Sequence, residues 1–168
     1  MASLDIGKPE SVKWIKDHFP KGATCLDVGA CDGKWGKLLN DYLTMDAVEI
    51  YAPNINKHGL ANIYRHVYCV DIRNLNYGKK YDLIIFGDVL EHMSVKDARK
   101  VLEYAYPRCQ DFLIAVPYQW TNRSHYGNQW EIHIQDDLTP ENVLERYKNI
   151  QPLFIYDRYG YYIKGEQK

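Results

Sequence analysis

The residues with the most chemical content lie in one run, Leu26-Asp27-Val28-Gly29-Ala30-Cys31-Asp32-Gly33-Lys34-Trp35-Gly36. An apolar stretch there carries one carboxylate, breaks at a glycine and resumes with residues that suit a helix. A carboxylate inside an apolar strand is costly unless it meets a cation, a donor array or water, so Asp27 calls for a partner, and a ligand ammonium would serve. Gly29 and Gly33 leave room for backbone amides and a helix N-terminus to approach a bound molecule. Glu49, in Ala47-Val48-Glu49-Ile50-Tyr51, follows about twenty residues on, where an acid can accept both hydroxyls of a ribose. Asp71 ends a third apolar run in Cys69-Val70-Asp71-Ile72. Pyrophosphate binding is disfavoured, because G-x-G-x-x-G counted from Gly29 would need glycine where Cys31 and Lys34 stand.

Proton chemistry, if it is needed, has three candidates. An imidazole titrates nearest neutrality and is the natural general base, and His92, His125 and His133 all follow the later strands. His92 sits in Leu90-Glu91-His92, where an acid beside a histidine can equally serve to pin a loop. His125 and His133 lie between residues 119 and 138, a connection too long to be a simple turn. It carries Trp120, Tyr126 and Trp130, and reads as an acceptor-binding element or an aromatic lid. Neither the histidines nor the four scattered cysteines show zinc-ligand spacing, so no metal is expected, and the cysteines read as reduced core thiols.

These groups have to be positioned by regular elements. Apolar runs at 24–30, 45–51, 66–72, 81–88 and 111–118 read as strands, with helices at 9–19, 34–43 and 94–106. A further helix starts at Thr139-Pro140-Glu141, and Tyr- and Ile-rich runs at 151–157 and 160–164 read as a closing antiparallel hairpin. The alternation predicts an α/β fold: a mostly parallel sheet of about seven strands, helices on both faces, and one domain over residues 1–168. Net charge −1 argues against a broad nucleic-acid footprint, although a local basic patch would not show in that sum. No run is long and apolar enough for a membrane span, and the N-terminus lacks a signal-like segment, so a soluble, cytoplasmic protein is expected.

The run Asp27-x-Gly29-x-Cys31-x-Gly33 resembles the first motif of class I S-adenosylmethionine-dependent methyltransferases, D/E-x-G-x-G-x-G, with Cys31 in place of the central glycine. The Leu90-Glu91-His92 segment resembles that of their small-molecule branch, often called type 11. The resemblance covers about residues 20–118 and implies a Rossmann-like fold with S-adenosyl-L-methionine as cofactor. It assigns Asp27, Gly29, Ala30, Cys31 and Gly33 to the methionine side, Glu49 and Ile50 to the ribose, and Asp71 and Ile72 to the adenine. Gly87 and Asp88 would line the other side. It implies methyl transfer to oxygen or nitrogen of a small-molecule acceptor, with a non-catalytic binding module or a protein or RNA methyltransferase as the alternatives.

Overall fold

The computed structural model describes residues 5–76, 78–121 and 127–166. Seven strands form one sheet: β1 (Thr24–Val28), β2 (Thr44–Val48), β3 (His66–Tyr68), β4 (Tyr81–Gly87), β5 (Cys109–Pro117), β6 (Ile150–Ile155) and β7 (Tyr159–Lys164). Their order is β3-β2-β1-β4-β5-β7-β6. The first five run parallel, and β7 enters antiparallel between β5 and β6. This is the expected architecture, hairpin included. The third strand is shorter than the sequence suggests, because after Tyr68 the chain leaves the edge of the sheet and turns at Asp71.

Side-chain alternation along the strands divides the core between the two faces. Leu26, Val28, Ile84, Phe86, Phe112 and Ile114 point to the face covered by α4 (Val95–Ala105) and α5 (Pro140–Arg146). Cys25, Met45, Ala47, Leu83, Ile85 and Leu113 point to the other, covered by α1 (Lys8–His18) and α2 (Lys34–Leu39). Asp27 shares the face of Cys25 and lies under α1 and α2. Each such aliphatic side chain, fully buried, contributes roughly 1.5–3 kcal/mol.

The helices begin where capping chemistry puts them. Ser94 accepts from the Asp97 amide at the start of α4, and Thr139 with Asn142 forms a reciprocal capping box on α5. Helix α2 stops at Leu39 rather than continuing to 43, and Leu38 on its outer side is exposed. Tyr42 then folds back, its hydroxyl donating to the Phe19 carbonyl. Edge strand β6 accommodates Pro152 beside a register shift, where a missing N–H costs nothing. Among the described residues no helix is long and apolar enough to cross a membrane.

Candidate functional site

Strand order reverses between β1 and β4, and at such a switch point the loops leaving the carboxyl ends diverge and open a crevice. A cleft of about 930 Å³, including its open mouth, lies there, within the size range of small-molecule sites. Its walls contain Gly29, Ala30, Cys31, Glu49 and Ile50 from the ends of β1 and β2. They also contain Asp71 and Ile72 from beyond β3, Gly87 from the end of β4, and Asp88 and His92 from beyond it. The fold thus brings together most of the residues singled out in the sequence.

The turn after β1 does not work as an amide cradle. The N–H groups of Gly29 and Ala30 both donate to the Val48 carbonyl, and that of Cys31 donates to Glu49 Oε2 at 2.7 Å. All three amides are committed to the end of β2, so the turn admits a ligand through its small side chains. Gly29 has φ 75°, and a Cβ there would lie 2.6 Å from Val89 Cγ2. Cys31 holds φ 48° in spite of its side chain. Gly33 is buried and caps α2 below the cleft without lining it.

Glu49 is 4% exposed, and its other oxygen accepts from the Tyr51 amide at 2.7 Å. Burial raises its carboxyl above the usual range, while the two backbone donors pull the other way. Two backbone bonds fix the carboxylate and leave further lone pairs for a ligand. Asp71 is engaged with Arg73, accepting from its backbone N–H and its guanidinium. Burial alone would raise its carboxyl, but the Arg73 hydrogen bonds outweigh that and hold it low. Asp88, in the left-handed region at φ 55°, accepts from the Tyr159 hydroxyl.

Asp27 departs from the expectation of a ligand partner. It is 1% exposed and does not line the cleft; Oδ2 accepts from the Tyr64 hydroxyl, and Oδ1 has no hydrogen-bond partner among the described residues. Burial drives its carboxyl up to about 7, against the opposing Tyr64 bond and the charge of Lys8. Lys8 is itself buried, its ammonium 4.5 Å from the Trp35 ring centre. Burial lowers its pKa, with Asp88 and Asp27 among the charges that resist this. Sequence reading missed Lys8, because a lysine opening an amphipathic helix looks like a solvent residue.

The stretch after β5, read from sequence as an acceptor-binding element or an aromatic lid, reaches the cleft. Asn128, Trp130 and Glu131 line it on the same side as Cys31 and Arg73. The Cys31 thiol lies 4.0 Å from Glu131 Oε1, and the Arg73 guanidinium 5.8 Å from the Trp130 ring centre. Residues 130–135 alternate apolar and polar, but with the polar side chains inward: Ile134 is 61% exposed and Gln135 4%. Gln135 donates to the Leu90 and Met93 carbonyls, and the amides of Ile134 and Gln135 donate to the Glu91 carbonyl. That inverted alternation was the available signal for Gln135, a residue the sequence reading passed over.

This zipper sets His133 edge-on against His92, with ring centres 4.7 Å apart at 79°. His92 lines the cleft, His133 stands behind it, and His125 lies outside the described residues. His92 Nδ1 meets the Ile132 carbonyl at 3.1 Å and His133 Nδ1 the Trp120 carbonyl at 2.8 Å. Burial, and then the neighbouring His133, brings His92 down to about 4; burial also lowers His133. Both rings are therefore neutral at pH 7. A carbonyl only accepts, so each Nδ1 carries the proton and each Nε2 a lone pair. Glu91 is fully buried beside them, with burial and then the charge of Asp88 holding its carboxyl well above the usual range.

No protein-family model matches the chain, and no curated protein matches it by sequence. Solved structures do match its fold. An S-adenosylmethionine-dependent methyltransferase from Clostridium acetobutylicum superposes with a TM-score of 0.73 at 14% identity, over 98% of this chain and 93% of the other. The N-terminal domain of EvdMO1, crystallised with S-adenosylhomocysteine and D-fucose, gives 0.71 at 13%, over 98% and 85%. The 1,6-didemethyltoxoflavin-N1-methyltransferase of Burkholderia thailandensis, crystallised with 1,6-didemethyltoxoflavin and S-adenosylhomocysteine, gives 0.67 at 14%, over 96% and 80%. The chain has the Rossmann-like fold of class I methyltransferases.

Proposed function

We propose that the protein is an S-adenosyl-L-methionine-dependent methyltransferase, a single domain that transfers a methyl group to oxygen or nitrogen of a small-molecule acceptor. The observation that carries this reading is the Glu49 carboxylate, buried at the end of β2 and held by two backbone amides in the wall of the cleft beside Gly29. A rigid acceptor in that place suits a ribose diol, and the glycine next to it leaves no Cβ to obstruct a nucleoside.

The residues fit the donor. Glu49 would accept the ribose hydroxyls through its remaining lone pairs. Ile72 would pack on the adenine and Asp71, steadied by Arg73, would stand at its edge, while Gly29, Ala30, Cys31, Gly87 and Asp88 would surround the methionine part. When bound, the sulfonium supplies an electrophilic methyl group, and the protein's contribution is to hold the acceptor in line with it and exclude water. Trp130 offers an aromatic wall for that enclosure. At the acceptor end His92 presents a neutral imidazole whose Nε2 can take a proton, with His133 fixing its ring; a histidine this strongly depressed is a weak base when it acts alone. The ligands in the neighbouring structures, D-fucose and 1,6-didemethyltoxoflavin, support a small-molecule acceptor.

Calorimetry of the full chain with S-adenosylhomocysteine tests the donor site. Saturable one-to-one binding is expected. Binding of NAD, with neither S-adenosylhomocysteine nor S-adenosylmethionine binding at millimolar concentration, would overturn the reading.

A further inference from the structure

Glu91, His92 and His133 meet behind the part of the cleft wall that His92 forms, in an arrangement that proton transfer alone does not explain. One ligand-capable atom from each lies within 4.8 Å of those of the other two. His92 Nε2 is 4.0 Å from Glu91 Oε1. Neither carboxylate oxygen of Glu91, which is fully buried, has a hydrogen-bond partner among the described residues. A buried carboxylate without donors is among the costliest arrangements a fold can keep, yet the turn carrying it is braced by Gln135 and by the amides of Ile134 and Gln135.

We propose that Glu91, His92 and His133 bind one divalent transition-metal ion, of the class represented by Zn2+. Two imidazoles and one carboxylate, with a position left open, form the donor set of a catalytic rather than a closed structural site. Each imidazole already has the orientation that ligation needs: its Nδ1 proton is tied to a backbone carbonyl, Ile132 or Trp120, which leaves Nε2 bare. Tetrahedral bonds of about 2.0–2.2 Å place ligand atoms roughly 3.4 Å apart, so the 4.0 Å between Glu91 Oε1 and His92 Nε2 closes by about half an ångström on binding. The Glu91 carboxylate, without a hydrogen-bond partner among the described residues, can supply that movement.

Because His92 forms part of the cleft wall, the open coordination position would face the acceptor. A hydroxyl bound there would release its proton to solvent more readily, and because the ion would occupy the Nε2 lone pair of His92, it would take over from that imidazole the task of activating the acceptor. That use rests on the methyl-transfer reading; the ion site itself does not.

The test is titration of the chelator-treated full chain, without donor, by Zn2+ in calorimetry and by Co2+ followed through its visible absorption. Wild type should take up one ion per chain, and Glu91→Gln, His92→Gln and His133→Gln should each bind at least tenfold more weakly. Zn2+ should raise the Tm of wild type and leave that of His133→Gln unmoved. His133 stands on a half-exposed stretch, so its variant keeps the comparison usable if Glu91→Gln fails to fold. No saturable uptake by folded wild type at millimolar metal, or equal affinity in folded His133→Gln, would overturn the proposal. S-adenosylhomocysteine affinity measured on the same metal-free protein separates the two readings: donor binding without ion binding sinks this inference alone, and ion binding without donor binding sinks only the methyltransferase reading.

Discussion

Glu49 Oε2 accepts a 2.7 Å hydrogen bond from the backbone N–H of Cys31, so one buried carboxylate clamps the turn after β1 to the end of β2. The group proposed to hold the ribose is therefore also the group that shapes the turn beside it.

Glu49→Gln is expected to be worse than its shape suggests. An amide presents a donor NH2 on one side, and both sides of Glu49 already face backbone N–H groups, those of Cys31 and Tyr51. Losing hydrogen bonds to a charged acceptor costs about 2 kcal/mol, which corresponds to roughly thirtyfold in S-adenosylhomocysteine affinity. Calorimetry beside a thermal melt checks this. Unchanged affinity in a folded variant would move the ribose site elsewhere.

Gly29→Ala tests the turn itself. The left-handed φ of 75° penalises any Cβ by roughly 1–2 kcal/mol, and contact with Val89 at 2.6 Å adds overpacking of about 1–3 kcal/mol. Denaturant unfolding should show a loss of at least about 2 kcal/mol, with donor affinity falling in parallel. A variant as stable as wild type would mean that the turn tolerates a side chain there.

Asp27→Asn is expected to alter the pH dependence of stability. The folded-state carboxyl lies near 7, above its unfolded value, so the folded protein binds the extra proton. The contribution is fully present below about pH 4 and is lost as pH rises toward 7. An asparagine can still accept from Tyr64 and never ionises. Melts from pH 5 to 8 should show wild type losing stability relative to Asp27→Asn as pH rises; parallel curves would place the Asp27 carboxyl outside that window.

Trp130→Ala is expected to weaken donor binding about fivefold, the worth of one aromatic contact of about 1 kcal/mol, because the indole lines the cleft on the Arg73 side. Tm should hardly move, since Trp130 is 37% exposed. If only acceptor kinetics changed while donor affinity stayed constant, residues 128–131 would belong to the acceptor after all.

Features written locally in the chain could be read from it directly. Continuous apolar runs laid down β1, β2, β4 and β5, Tyr- and Ile-rich runs the closing hairpin, and capping chemistry at Ser94 and Thr139 set two helix starts. The spacing from Gly29 to Glu49 marked one end of the cleft, because parallel strands joined by short crossovers bring their carboxyl ends to one edge. Tertiary structure alone decided who meets whom across the chain. Tyr64 rather than a ligand holds Asp27 from 37 residues away, and Lys8 disappears beneath Trp35. The turn's amides turn inward to Val48, and residues 130–135 present their polar side to the protein, which carries His133 to His92 and Glu91. Periodicity reports which face of an element is apolar, but it holds nothing about which distant polar group will fill a gap in the fold. That choice is made by packing, and here packing sets a buried carboxylate, without a hydrogen-bond partner among the described residues, beside two imidazoles.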